Sequence, residues 1–107
     1  MRDCAETEPA YCCAILRDDA GRHLLELRPV TDADCPGRLT CFGGSRLADE
    51  LPLDCLRREL REELGFEAVL SPSLLPAVVL HTPVGQAWFY RVDPPRGVKA
   101  REPGHEA

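Results

Sequence analysis

The sequence predicts an α/β domain. Three observations carry this: one strongly amphipathic helix near the middle of the chain, short apolar segments of strand character on both sides of it, and an ordinary globular composition. The chain has 107 residues, the size of one domain. Hydrophobic residues make up 44% and charged residues 29%, which excludes a disordered or fibrous chain. The 18 acidic and 13 basic side chains give a formal net charge of -5, which argues against a reader of the nucleic-acid backbone. A small phosphorylated ligand stays open, because a bound metal reverses the local sign of charge.

Residues 1–9 read as a flexible leader and 10–107 as the domain. Tyr11-Cys12-Cys13-Ala14-Ile15-Leu16 is a short apolar run with strand character. The turn residues Asp18-Asp19-Ala20-Gly21 join it to His23-Leu24-Leu25-Glu26-Leu27, so the two predict a hairpin. A loop from Pro29 to Gly37 leads to a strand over Leu39-Thr40-Cys41-Phe42, which runs into Gly43-Gly44. The helix is predicted over Pro52–Leu64. Proline suits the first helical position, and Asp54 favours the positive end of the helix dipole. Leu53, Leu56, Leu60 and Leu64 form one apolar stripe, and Gly65 stands where a left-handed residue ends a helix. Leu51, at the N-cap, has no side-chain acceptor for a capping bond. Three further strands are predicted at Glu67-Ala68-Val69-Leu70, Pro76-Ala77-Val78-Val79-Leu80 and Ala87-Trp88-Phe89-Tyr90-Arg91-Val92. From Asp93 onward the sequence reads as loop.

The helix also carries Glu59, Glu62 and Glu63 within about 100° of arc. Like charges at this spacing cost about 0.2–0.5 kcal/mol per pair, which Arg58 and Arg61 partly offset. Two readings stand at this point: a solvated acidic face, or a site for a hard divalent cation such as magnesium, which prefers carboxylate oxygens and works beside phosphates.

The surroundings of the cluster favour the second reading. From Gly44 to Phe66 the chain reads G-x5-E-x7-R-E-U-x-E-E-x-G-U, where U is a bulky apolar residue. This resembles the signature of the Nudix hydrolases with every fixed position filled. The resemblance implies an α/β/α sandwich with a mixed sheet, and hydrolysis of a nucleoside diphosphate derivative by water attack on phosphorus, with Mg2+ or Mn2+. It implies that Glu62 and Glu63 are the principal metal ligands and that Glu59 joins them or handles the water. It further implies a backbone carbonyl of Gly43 or Gly44 as an oxygen ligand, Arg58 as the group that orients the carboxylates, and Glu50 and Gly65 as structural residues of the box. Pro103-Gly104-His105-Glu106 resembles a segment that supplies a further glutamate in MutT-type members, so Glu106 is a candidate base or metal ligand. His105 and His81 are candidate phosphate contacts. Trp88 and Tyr90 share a strand face, to stack a nucleobase or to pack in the core.

The sequence departs from the family in small ways around the box. Cys41-Phe42 precedes the glycines where many members have a proline, Asp49 replaces a common glycine, and Leu51 replaces a Ser or Thr cap. The larger departure is that most members continue past the Glu106 region with a strand and a helix that covers one sheet face. The expectation is therefore a shortened protein, a fragment, or a chain whose core is completed by a homodimer or other partner. Two function classes follow: an active metal-dependent hydrolase of a small nucleotide substrate, or a catalytically weak Nudix-like module that binds a nucleotide or protein. No apolar run is long enough to span a bilayer and no signal peptide is evident, so a cytoplasmic protein without membrane or nucleic-acid partners is expected. The six cysteines form no C-x-x-C pair and are expected as reduced thiols.

Overall fold

The structure is a computed structural model that describes residues 8–28, 30–31 and 37–95. Its elements run β1 (Pro9–Arg17), β2 (His23–Leu24), β3 (Glu26–Leu27), β4 (Leu39–Thr40), β5 (Phe42–Ser45), α1 (Pro52–Leu64), β6 (Val78–Thr82) and β7 (Gly85–Arg91). β1 is the organising strand. It pairs in parallel with β7 and antiparallel with β5 and β2, while β6 continues the sheet antiparallel to β7. The sheet is thus mixed. β3 and β4 form a separate two-stranded sheet. Pro9, assigned to the leader from sequence, opens β1 and is buried.

Alternation along β1 fixes which side is the core. Cys12, Ala14 and Leu16 are buried and face α1, where Leu56, Leu60 and Cys55 are all fully enclosed. Tyr90 and Val92 complete this layer, with Trp88 and Phe42 at its margin. The register sends Tyr11, Cys13, Ile15 and Phe89 to the opposite face, together with Val78 and Leu80 of the edge strand. These side chains are half-buried or exposed, at 43% for Val78 and 50% for Leu80. Among the described residues α1 is the one helix, so that face carries no helical cover.

The predicted hairpin forms only in part. Asp18 anchors its turn: the buried carboxylate accepts from the N–H groups of Ala20 and Arg22 and from Arg22 Nε at 2.8 Å. Leu16 and Arg17 then pair with Leu24 and His23. The strand predicted over residues 23–27 breaks at Leu25, however, because Glu26 and Leu27 pair instead with Thr40 and Leu39. The strand predicted over 39–42 breaks at Cys41 for the same reason: Phe42 to Ser45 leave β4 and join β1. The strand predicted at Glu67–Leu70 does not form. Ala68 and Leu70 are buried while Glu67 and Val69 are exposed, so the alternation is genuine, but no neighbouring strand among the described residues supplies a ladder. The Leu70 carbonyl instead accepts from Arg57.

The helix forms over the predicted span. Leu51 lacks a side-chain capping bond, and Gly65, at φ 75°, turns left-handed and donates its N–H to the carbonyls of Leu60 and Arg61.

Candidate active site

The site is built where β5 passes the start and middle of α1. Gly43 is the residue that lets the two come together. Its φ of 145° is open to glycine, and a Cβ there would come within 2.5 Å of the Cys13 Cα. Its N–H donates to Glu63 Oε1 at 3.0 Å. Gly44 plays a second part: a Cβ on it would lie 2.6–2.8 Å from all three terminal atoms of the Glu59 side chain. That carboxylate is pinned by Arg58, so it could not move aside without breaking its ion pair. Glycine is therefore required for Glu59 to rest against the loop.

Arg58 is the hub of the loop. Its Nε and Nη2 donate to the two oxygens of Glu50 at 2.8 and 3.0 Å, the bidentate geometry in which a guanidinium binds a carboxylate most strongly. Nη2 also donates to the Ser45 carbonyl at 3.0 Å, and Nη1 reaches Glu59 at 3.0 Å and Glu62 at 3.4 Å. Glu50 in turn accepts the Leu47 N–H at 3.0 Å. The Arg58 guanidinium, helped by that N–H, holds the Glu50 carboxyl down at about 2, well below the ordinary carboxylate range. Glu50 and Arg58 thus brace the loop, and Asp49, just before Glu50, turns through the left-handed region at φ 66°.

Glu63 stands in the opposite situation. Burial raises its pKa, the Gly43 N–H opposes this, and the nearby charges of Glu26 and Glu59 raise it further, to about 7. Glu59, held by Arg58 at 3.0 Å, stands close enough to Glu63 to add charge of the same sign. Glu62 is exposed and leans toward Arg58.

The structure thus brings Gly43, Gly44, Glu50, Arg58, Glu59, Glu62 and Glu63 to one place. As the side chains stand, no three His, Cys, Asp or Glu groups among the described residues converge closely enough to enclose a metal ion. Glu106 and His105 lie outside the described residues. His81 is exposed on β6, where it lines a groove with Arg46 and Gln86 at the start of β1 and β7. Tyr90 is buried and meets Trp88 edge-on at 6.5 Å, so this pair packs with the core. Sequence reasoning missed two polar residues. Arg46 donates to the Pro9 and Glu50 carbonyls, both at 2.7 Å, and to Glu8 at 2.8 Å, tying the loop to β1. Glu26 reaches the surroundings of Glu63 from β3 and pairs with Arg28 at 2.9 Å. Neither has a local sequence signal, because each partner is brought near only by the fold.

Comparison with known proteins places this geometry. The family profile of the NUDIX domain matches residues 7–102. Among solved structures, a MutT protein from Methanosarcina mazei Go1 superposes with a TM-score of 0.64 at 22% identity, covering 86% of this chain and 66% of its own. The E. coli ORF135 protein superposes with a TM-score of 0.55 at 31% identity, covering 91% of this chain and 68% of its own. This chain therefore spans about two thirds of the length of either neighbour. No curated protein matches. A domain match over most of the chain, together with a neighbour above 30% identity, shows that this chain belongs to the Nudix family.

Proposed function

We propose that this chain is a cytoplasmic Nudix pyrophosphohydrolase that uses Mg2+ or Mn2+ to hydrolyse the pyrophosphate link of a nucleoside diphosphate derivative, a nucleoside triphosphate among the candidates. The single observation that carries the proposal is the Glu59–Glu63 pair: two neighbouring carboxylates set against the Gly43-Gly44 backbone, one of them accepting the Gly43 N–H. A hard divalent cation is the natural partner for two such groups, because it neutralises both at once. The donor set of carboxylate and carbonyl oxygens fits the chemistry of such an ion.

When bound, the ion would neutralise the substrate's phosphates and lower the pKa of an attacking water. Glu62 and Glu63 are assigned as its principal ligands, with Glu59 as a third ligand or the group that takes the water's proton, and a carbonyl of Gly43 or Gly44 as a backbone ligand. Glu106 remains the candidate for a further base. Arg58 holds Glu59 in place, and Glu50 holds Arg58. Glu63, whose pKa burial and like charges raise to about 7, would be held in its charged form by such an ion. The sheet face bearing Tyr11, Ile15, Phe89, Val78 and Leu80, which no helix covers among the described residues, supports a second element of the proposal, that a further segment or a second copy closes it.

Phosphate and pyrophosphate release from a panel of nucleoside triphosphates, nucleotide sugars and ADP-ribose, with and without Mg2+, tests the first element. Turnover that needs Mg2+ supports it. No turnover on any member by a folded chain contradicts it and favours the binding-module reading. Sedimentation tests the second element: concentration-dependent association of the 107-residue chain is expected, and a compact monomer at all concentrations would count against it.

A further inference from the structure

The edge of the sheet at β6 is built unlike the rest of the surface. From Ala68 to Tyr90 the sequence runs 23 residues without an Asp, Glu, Lys or Arg. At 29% charge overall, such a stretch should carry about seven. The hairpin of β6 and β7 lies almost wholly within it, and β6 is the outermost strand of the sheet. Among the described residues no strand pairs with its outer side. Val78, Val79 and Leu80 are all exposed, so both faces of β6 are apolar, and Val84 at the turn is exposed too. Pro76 and Pro83 bracket the strand, but neither a proline nor a charge stands inside it. Native proteins blunt an open edge with just such residues. Thr82 faces Gly85 across a two-residue turn, so the antiparallel alternation spends the backbone groups of Thr82, Leu80 and Val78 on β7. Those of Val79 and His81 point outward.

We propose that β6 pairs edge to edge with β6 of a second copy, antiparallel about a two-fold axis at Leu80. That register uses the whole strand. Val79 faces His81 of the second copy, His81 faces Val79, and each of these pairs exchanges both backbone hydrogen bonds. Leu80 faces its own mate at the closer, non-hydrogen-bonded position, where apolar side chains touch. Three observations make a second copy the occupant. The edge is self-complementary, because two identical strands paired antiparallel form an isologous contact. Each copy carries a net charge of -5, yet pairing here brings no charged residue of either strand together. The chain's own remaining segments do not suit the edge. Residues 1–7, 29, 32–36 and 96–107 include only Met1 and Val98 as large apolar residues, and 96–107 hold five charges among Gly97, Pro103 and Gly104. The pairing occupies the edge and is separate from whatever closes the apolar sheet face and from the proposed hydrolysis.

Sedimentation of the full chain and amide hydrogen exchange test it. The wild type is expected to pass from monomer to dimer with concentration, and the Val79 and His81 amides to gain protection as it does. The Leu80 amide, spent on β7, is expected to be protected in both states. Val79→Pro removes one outward donor, and proline is tolerated at such an edge position because that N–H faces away from β7. It is expected to weaken the dimer roughly tenfold or more. Tyr11→Lys, on the apolar face and away from the edge, is expected to dimerise like wild type. A wild type that stays monomeric at all concentrations overturns the inference. So does a dimer in which the Val79 and His81 amides gain no protection, or one that Val79→Pro forms as tightly as wild type. Association lost in Tyr11→Lys and kept in Val79→Pro also overturns it, and assigns the contact to the sheet face. If Val79→Pro does not fold, the wild-type amides decide.

Discussion

Glu50 and Glu63 are the first and last residues of one fourteen-residue stretch of loop and helix, and their surroundings drive them in opposite directions. Glu50 meets a bidentate guanidinium and a backbone N–H, so its charge is fully answered and its pKa falls to about 2. Glu63 has one backbone donor, and burial without a cationic partner, with Glu26 and Glu59 adding charge of the same sign, raises its pKa to about 7. The difference separates bracing from chemistry. A carboxylate whose partners are all supplied by the protein is finished as a structural element. One that is half-buried among like charges is incomplete until a cation or a proton arrives.

Substitutions at the two ends should separate these roles. The largest effect is expected for Glu63→Gln, which removes a charged ligand: kcat on the best substrate should fall by about 100-fold or more, measured by phosphate release. Next comes Arg58→Ala. It strands the Glu50 charge and frees the Ser45 carbonyl, and should lower stability by about 2 kcal/mol in urea unfolding. The pair is partly exposed, at 19% and 13% of the side chains, so this is less than a fully buried pair would lose. Arg58→Lys should recover only part of this, because an ammonium cannot bind Glu50 in bidentate fashion.

The pH dependence of metal-free stability is a subtler effect. Glu63 has a folded-state pKa above its ordinary 4.5, so its contribution is fully present below about pH 4.5 and is lost as pH rises through about 7. Glu50 has a depressed pKa, so its contribution is present above about pH 4.5 and is lost as pH falls toward about 2. In a chelator, the melting temperature of Glu63→Gln relative to wild type should therefore rise between pH 5 and 8, and that of Glu50→Gln should rise between pH 5 and 3. Parallel curves for wild type and Glu63→Gln would remove the claim that Glu63 is poised near neutrality. The smallest effect is expected for Val69→Ser. Val69 is 98% exposed in the segment that failed to become a strand, so stability should change by less than about 0.5 kcal/mol.

What could be read in the sequence follows the range of the interactions. The span of α1, its leucine stripe and the left-handed Gly65 were legible because their causes lie within a few residues of each other. The box residues were legible through their spacing, and they do gather around Gly43-Gly44. The partner exchange that breaks residues 23–27 and 39–42 was not, since pairing with β1 or with each other is decided by distant chain. Glu67–Leu70 shows the limit of alternation: one face is buried in an extended segment whether or not a neighbour forms a ladder. Glu26 near Glu63 and Arg46 on the Pro9 carbonyl have no local signature at all.

The central claim is that the cation belongs at the Glu63 end and not at the Glu50 end. Calorimetric titration of wild type, Glu63→Gln and Glu50→Gln with Mn2+ near pH 7.5 addresses it directly. The account predicts that Glu63→Gln loses binding by about tenfold or more, while Glu50→Gln, if folded, stays within a few-fold of wild type. Equal affinities for wild type and Glu63→Gln, or a greater loss in Glu50→Gln, would contradict it.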